Sequence, residues 1–158
     1  MLAPLGLQTV VQPAVDYVAL DAHKADPPTC AELEGSAASD VVIFTSPRAV
    51  THGLAQLPRE ALLRLRVAAI GPATASALAA AGIPVAISSA EGFTSEDLLA
   101  ALSEGSAAGS GRPGNAFVLA APGGRQALVE GLARQGWRAK TLMVYRPEPV
   151  ALDRAALA

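Results

Sequence analysis

The sequence predicts an α/β fold, a doubly wound, flavodoxin-like parallel sheet of about five strands with helices on both faces. Three observations predict it. Short, nearly continuous apolar runs rich in β-branched residues recur along the chain, as in strands buried on both faces. Each run leads through a turn into an alanine-rich stretch of helical length. Two of those stretches are followed by glycine, Gly82 and Gly136, at the position just past a helix end where the left-handed backbone is cheap for glycine.

Taken in order, Thr9-Val10-Val11 and Val15-Asp16-Tyr17-Val18 read as one strand, or two short ones around Pro13, with no helix of their own. Residues 21–38 are rich in Ala, Pro and Asp and read as a linker holding about one helical turn. Asp40-Val41-Val42-Ile43-Phe44 is a strand, followed by a helix over 48–56. Val67-Ala68-Ala69-Ile70 precedes a helix over 73–81, and Val85-Ala86-Ile87 precedes one over 96–102. The Ser- and Gly-rich run 103–114 reads as a flexible surface loop. Ala116-Phe117-Val118-Leu119 leads into a helix over 126–135, and Thr141-Leu142-Met143-Val144-Tyr145 is the last strand of this unit. Asp153-Arg154-Ala155-Ala156-Leu157 reads as the start of a further helix, and no internal repeat is present.

Composition narrows the class. Of 158 residues, 51% are hydrophobic and 16% charged, which suits a packed core and excludes a disordered chain. No apolar run approaches the roughly 20 residues of a membrane helix. The first residues lack a basic stretch, so no secretory signal is expected. The single cysteine, Cys30, excludes an internal disulfide and a cysteine-based zinc site; it reads as a free thiol in a linker, and the cytoplasm follows as the expected compartment. A net charge of −2 offers no nucleic-acid footprint, so an anionic ligand must be held by local geometry.

That geometry is written in the strand-to-helix turns. Thr45-Ser46-Pro47 places Ser46 as N-cap and Pro47 at the first helical position. Gly71-Pro72-Ala73-Thr74 repeats the device, with Thr74 in the first turn. Thr94-Ser95-Glu96-Asp97 approximates a capping box. Pro122-Gly123-Gly124-Arg125 opens the next helix with two glycines and a cation. In a doubly wound sheet these turns share the carboxyl edge, where helix N-termini favour anions. Any α/β domain has capped helices there, so one such turn means little, whereas four in succession point to a phosphate or a multi-carboxylate. Neither glycine turn matches the Rossmann or P-loop pattern, which argues against a nucleotide. Catalytic constellations are sparse: Glu96 and Asp97 suit first-turn dipole partners, His23 and His52 have no third partner, and no cluster has metal-ligand spacing. Tyr145 is the one titratable side chain at a strand's carboxyl end. A protein with this set would work mainly by holding its substrate.

At these residues the sequence resembles the uroporphyrinogen-III synthase family. The motifs are Val42-Ile43-Phe44-Thr45-Ser46-Pro47-Arg48-Ala49-Val50, Ala69-Ile70-Gly71-Pro72-Ala73-Thr74-Ala75, Gly92-Phe93-Thr94-Ser95-Glu96-Asp97-Leu98-Leu99, Gly124-Arg125-Gln126-Ala127-Leu128 and Val144-Tyr145-Arg146. Their order and spacing fit throughout. The resemblance implies two similar α/β domains joined by a two-stranded linker, with the active site between them. It implies closure of hydroxymethylbilane to uroporphyrinogen III, with loss of water and inversion of ring D, and no cofactor or metal. By that resemblance residues 39–146 form one complete domain and 1–20 a remnant of the other, discontinuous one. Residues 21–38 are the linker, and 147–158 are the return linker with the start of the remaining half. This chain by itself is then expected to be inactive.

The resemblance implies that Tyr145 assists departure of the substrate hydroxyl as a general acid, since a phenol keeps its proton at neutral pH and can donate it. It places Thr45, Ser46, Gly71, Thr74, Thr94, Ser95, Gly124 and Arg125 in the loops that bind substrate, largely through backbone N–H groups. It implies a monomer for the full-length protein, whereas the shorter chain is expected to be able to pair with a second copy. Neither nucleic acid nor membrane is an expected partner. A non-catalytic α/β anion-binding or regulatory module is the alternative reading. A receiver or flavodoxin-like regulatory domain suits the fold too, but the acidic cluster for magnesium and the aromatic pair for a flavin are missing.

Overall fold

The structure is a computed structural model and describes residues 13–88, 94–107 and 113–151. The expected strand at Thr9-Val10-Val11 and the helix start at Asp153 lie outside the described residues. In chain order the elements are β1 (Val15–Ala19), α1 (Ala22–Ala25), α2 (Pro27–Glu34), β2 (Val41–Phe44), α3 (Pro47–Leu54), α4 (Arg59–Arg64) and β3 (Arg66–Ala69). They continue with α5 (Pro72–Ala80), β4 (Ile87–Ser88), α6 (Ser95–Ala107), β5 (Asn115–Ala120), α7 (Gln126–Arg134), β6 (Arg138–Met143) and β7 (Tyr145–Pro149).

Five strands form one sheet in the order β4-β3-β2-β5-β6, and every neighbouring pair is parallel. Counted within the sheet this is 3-2-1-4-5, doubly wound, with the order reversing between β2 and β5. It differs from the flavodoxin order 2-1-3-4-5 in the third strand, because the short β4 continues outward from β3 before the chain crosses to β5. Strand alternation splits the core cleanly. Val42, Phe44, Val67, Ala69, Phe117 and Leu119 face one layer, where helices α1 to α5 contribute Ala22, Cys30, Leu33, Val50, Leu62 and Leu78. Val41, Ile43, Ala68, Ala116 and Val118 face the other, against Leu98 and Leu102 of α6 and Leu128 and Leu132 of α7. This is the period-two logic of a strand covered on both sides.

Five stretches differ from the sequence reading. Helix α4 (Arg59–Arg64) has no counterpart in it, and β4 is confined to Ile87–Ser88 where 85–87 is expected. Residues 21–38 hold two helices, not a linker with one turn: Asp21 and Asp26 cap α1 and α2 through their carboxylates, Pro27 opens α2, and Ala22, Cys30 and Leu33 are fully buried. Cys30 is a free thiol, as read, yet it lies in the core; burial first, then the carboxylates of Asp26 and Glu34, push its pKa up and keep it protonated. Helix α6 runs on to Ala107, so residues 103–107, expected as loop, are helical. Leu98 and Leu102 bury one face of it, and that packing outweighs the weak helix preference of Ser103 and Gly105. The last strand also divides: β6 ends at Met143, and Tyr145 begins β7, which pairs antiparallel with β1 in a separate two-stranded ribbon.

At the amino edge of the sheet Asp40 is 5% exposed and accepts hydrogen bonds from the backbone N–H of Asn115 (2.7 Å) and Ala37 (3.1 Å). Burial pushes its pKa up, but the hydrogen bonds led by Asn115 and Ala37 outweigh it and hold the carboxyl below the usual range. A carboxylate with a depressed folded-state pKa contributes stability that is present above the unfolded pKa, near 4, and lost as pH falls through the folded value. Asp40→Ala is therefore expected to cost about 1–2 kcal/mol at pH 7, the penalty for two part-buried N–H groups left without their acceptor. The cost should shrink below pH 4 in urea titrations. A difference between the two proteins that does not change between pH 7 and pH 3 would show that the charge of Asp40 contributes nothing.

Candidate active site

The candidate site is built at the carboxyl edge, where the sheet order reverses. Strand β2 ends at Phe44, and Ser46 caps α3 by accepting the Ala49 N–H at 3.1 Å, with Pro47 at the first helical position. Thr45 turns the other way: its hydroxyl donates to the Leu119 carbonyl of β5 at 2.8 Å, locking the two central strands together at this edge. Its backbone N–H goes to the same carbonyl at 3.4 Å, so both donors of Thr45 are spent on the sheet and, contrary to the sequence expectation, neither is left for a ligand.

After β3, Gly71 takes φ 80 and ψ 157, a conformation glycine adopts freely, and Pro72 opens α5. Thr74 is 2% exposed in the first turn of that helix. Thr94 and Asp97 cap α6 reciprocally. The Asp97 N–H donates to Thr94 Oγ1 at 3.3 Å, and Thr94 returns its N–H and hydroxyl to the Asp97 carboxylate at 3.2 and 2.5 Å. Before α7 the chain passes through Gly123 at φ 71 and Arg125 at φ 64, the one non-glycine residue with positive φ among the described residues. That conformation costs a residue with a Cβ about 1–2 kcal/mol. It sends the Arg125 guanidinium toward the neighbouring turn, where Nη1 donates to Ser95 Oγ at 3.4 Å. A cavity of about 260 Å³ lies alongside, lined by Gly123, Gly124, Gln126, Val129, Thr141 and Met143. A larger groove of about 600 Å³ between α5 and β4 is lined by none of the expected site residues.

Tyr145 is 7% exposed, and its hydroxyl lies 3.1 Å from Ser46 Oγ. Its ring stacks on His52 (centroids 5.4 Å apart, 23° between planes) and meets Tyr17 edge-on at 5.9 Å and 63°. Arg48 Cζ lies 3.8 Å over the Tyr17 ring. Gln56 holds the two segments that flank the ribbon: Oε1 accepts the Ala22 N–H of α1 at 2.8 Å, and Nε2 donates to the Val144 carbonyl between β6 and β7 at 3.1 Å.

The expected residues thus fall into two contacts, Ser46 with Tyr145 and Ser95 with Arg125, while Gly71 and Thr74 stand at the exit of β3. Sequence reasoning gave no part to Tyr17, Arg48 and His52. The available signals were a cation two residues after an N-cap at the carboxyl edge and an aromatic in a short polar strand. Neither is specific without the pairing of β1 with β7. Among the described residues no group of three His, Cys, Asp or Glu side chains is arranged to hold a metal ion. No helix among them is long and apolar enough to cross a membrane.

Comparison with curated protein sequences finds no match. Solved structures do match. A mutant uroporphyrinogen III synthase of the extremely thermophilic bacterium Thermus thermophilus superposes with a TM-score of 0.67 at 22% identity, over 94% of this chain and 57% of the other. A second Thermus thermophilus uroporphyrinogen III synthase structure gives 0.58 at 23% identity, over 85% and 51%. The uroporphyrinogen-III synthetase of Helicobacter pylori gives 0.54 at 21% identity, over 90% and 57%. At these identities the likeness is one of fold, and the chain spans about half the length of the structures it matches. The sequence itself matches the family model described as uroporphyrinogen-III synthase HemD over residues 2–158. With its five motifs, the parallel sheet beneath them and that match over nearly every residue, the chain belongs to the uroporphyrinogen-III synthase family.

Proposed function

We propose that this chain forms one wall of a uroporphyrinogen-III synthase active site, closing hydroxymethylbilane to uroporphyrinogen III with loss of water and inversion of ring D. The observation that carries this reading is the Tyr145 hydroxyl held on Ser46 at the carboxyl edge, where the ribbon leaves the sheet. Ser46 Oγ already accepts the Ala49 N–H, so its own proton is free to be donated into the phenol oxygen. That orientation leaves the Tyr145 O–H for the departing hydroxyl of the substrate. As the carbon–oxygen bond breaks, the phenolic proton passes to the leaving oxygen and water departs. The Ser46 hydrogen bond strengthens as charge develops on the phenol oxygen.

The remaining edge suits a substrate with many carboxylates. Helices α5, α6 and α7 point their N-termini the same way, with Gly71, Thr74, Thr94, Ser95 and Gly124 at their openings and the Arg125 cation beside them. A tetrapyrrole held at several such points has its ends oriented, and orientation is what selects one ring closure over another. Catalysis then belongs to the full cleft, of which this chain provides one side. We read the full-length enzyme as a cytoplasmic, cofactor-independent monomer.

Titration of the chain with uroporphyrin III, followed by amide chemical shifts, tests the reading. Shifts are expected at Ser46, Gly71, Thr94, Ser95, Gly124 and Arg125, with Asp40, Asn115 and Arg138 at the amino edge unmoved. Shifts confined to the amino edge would overturn it.

A further inference from the structure

We propose that Tyr17 is a positioning residue of this site: its ring holds the Arg48 guanidinium at the carboxyl edge, aligned to receive a carboxylate of the ligand. The inference rests on the reading above and names a residue pair that the expected site does not include. Arg48 follows Ser46 by two residues on α3, and its Cζ sits 3.8 Å over the Tyr17 ring. Among the described residues the acidic side chains in ion pairs are Asp21, Glu32, Glu34 and Glu148, and none of them pairs with Arg48. The cation is therefore anchored by a ring and not by a counter-ion. A stacked guanidinium uses its face, while its five N–H donors lie in its plane and stay available for a bidentate carboxylate. A long arginine side chain ordinarily loses rotamer freedom when it binds, and stacking beforehand removes part of that cost.

The sheet register explains how Tyr17 reaches this position. Tyr17 pairs with Pro147 across the ribbon, which makes Tyr145 its diagonal neighbour, within reach of an aromatic ring. One ring thus contacts both the proposed proton donor and the proposed carboxylate ligand. It belongs to β1, so the ribbon and the site move together. A ring stacked for packing alone would have no dependence on Arg48, and that difference can be measured.

The experiment measures uroporphyrin III affinity for the unmodified chain, Tyr17→Leu, Tyr17→Phe, Arg48→Gln and the Tyr17→Leu/Arg48→Gln double variant. Tyr17→Leu is expected to weaken binding about 3- to 10-fold, the range for a cation over an aromatic face. Tyr17→Phe, which keeps the face, should stay within about twofold of the unmodified chain. In the Arg48→Gln background Tyr17→Leu should change affinity by no more than about twofold, because the two residues act as one unit. The Arg48 Hε resonance should show the ring-current shift in the unmodified chain and in Tyr17→Phe, and lose it in Tyr17→Leu. Equal weakening by Tyr17→Leu in both backgrounds, or no rescue by Phe, would overturn the inference and leave the proposed function standing. Failure of the unmodified chain to bind uroporphyrin III would overturn both.

Discussion

Tyr145→Phe is expected to lower kcat about 10²- to 10⁴-fold while leaving product affinity within about twofold, in an enzyme that joins this chain to the remaining length of its solved relatives. The substitution removes one oxygen. The Phe ring keeps the stack on His52 and the edge contact with Tyr17, so the corner stays packed. The structural loss is one hydrogen bond to Ser46, about 1 kcal/mol. The chemical loss is the proton itself, which the leaving hydroxyl must then take from water. A change in kcat without a change in affinity is the signature of an interaction made in the transition state. Ser46→Ala serves as the graded control. It should lower kcat less than Tyr145→Phe, because the phenol proton remains. It should also cost about 1 kcal/mol of stability through loss of the α3 cap. A rate for Tyr145→Phe equal to that of the parent enzyme would make Tyr145 a packing residue and end its role as acid.

The second large effect concerns stability. Phe44 is fully buried at the end of β2, directly before the Thr45-Ser46 turn, and Phe44→Ala is expected to destabilise by about 3–5 kcal/mol. A domain of this size is stable by about 5–15 kcal/mol, so a large part of the total would be lost. The same contact can be probed from the other side. A Cβ on Gly53 would come within 2.7 Å of Leu119 Cδ2 and 3.2 Å of Phe44 Cε1, both in the packed core. Gly53→Ala should therefore cost about 1–3 kcal/mol by overpacking, despite the better helix preference of alanine. Urea unfolding followed through the buried single tryptophan, Trp137, measures both. Values below about 1 kcal/mol for the pair would mean that α3 does not press on β2 as described.

The amino-acid sequence by itself determined the sheet and its turns. The apolar runs 41–44, 67–69 and 116–120 are strands because each must face a helix layer on both sides, which only a continuous run of apolar residues tolerates. Ser46-Pro47, the Thr94–Asp97 pair and Gly82 and Gly136 are local devices, and each acts as read because its partners lie within four residues. The turns of the carboxyl edge were legible for the same reason.

Only the tertiary structure decided the rest. Residues 21–38 look like a linker because their helices are short and begin with Asp and Pro; burial of Ala22, Cys30 and Leu33 against the sheet is what keeps them folded. Thr141 to Tyr145 reads as one strand, and it divides at Val144 because Met143 pairs with Ala120 whereas Tyr145 pairs with Ala19. The strand order follows from which crossovers close. The cluster of Tyr17, Arg48, His52 and Tyr145 joins residues from β1, α3 and β7, and no spacing rule connects positions so far apart. Propensities and caps act over a few residues of backbone, whereas a strand's partner is chosen by long-range packing that must outweigh the entropy of closing the chain between them.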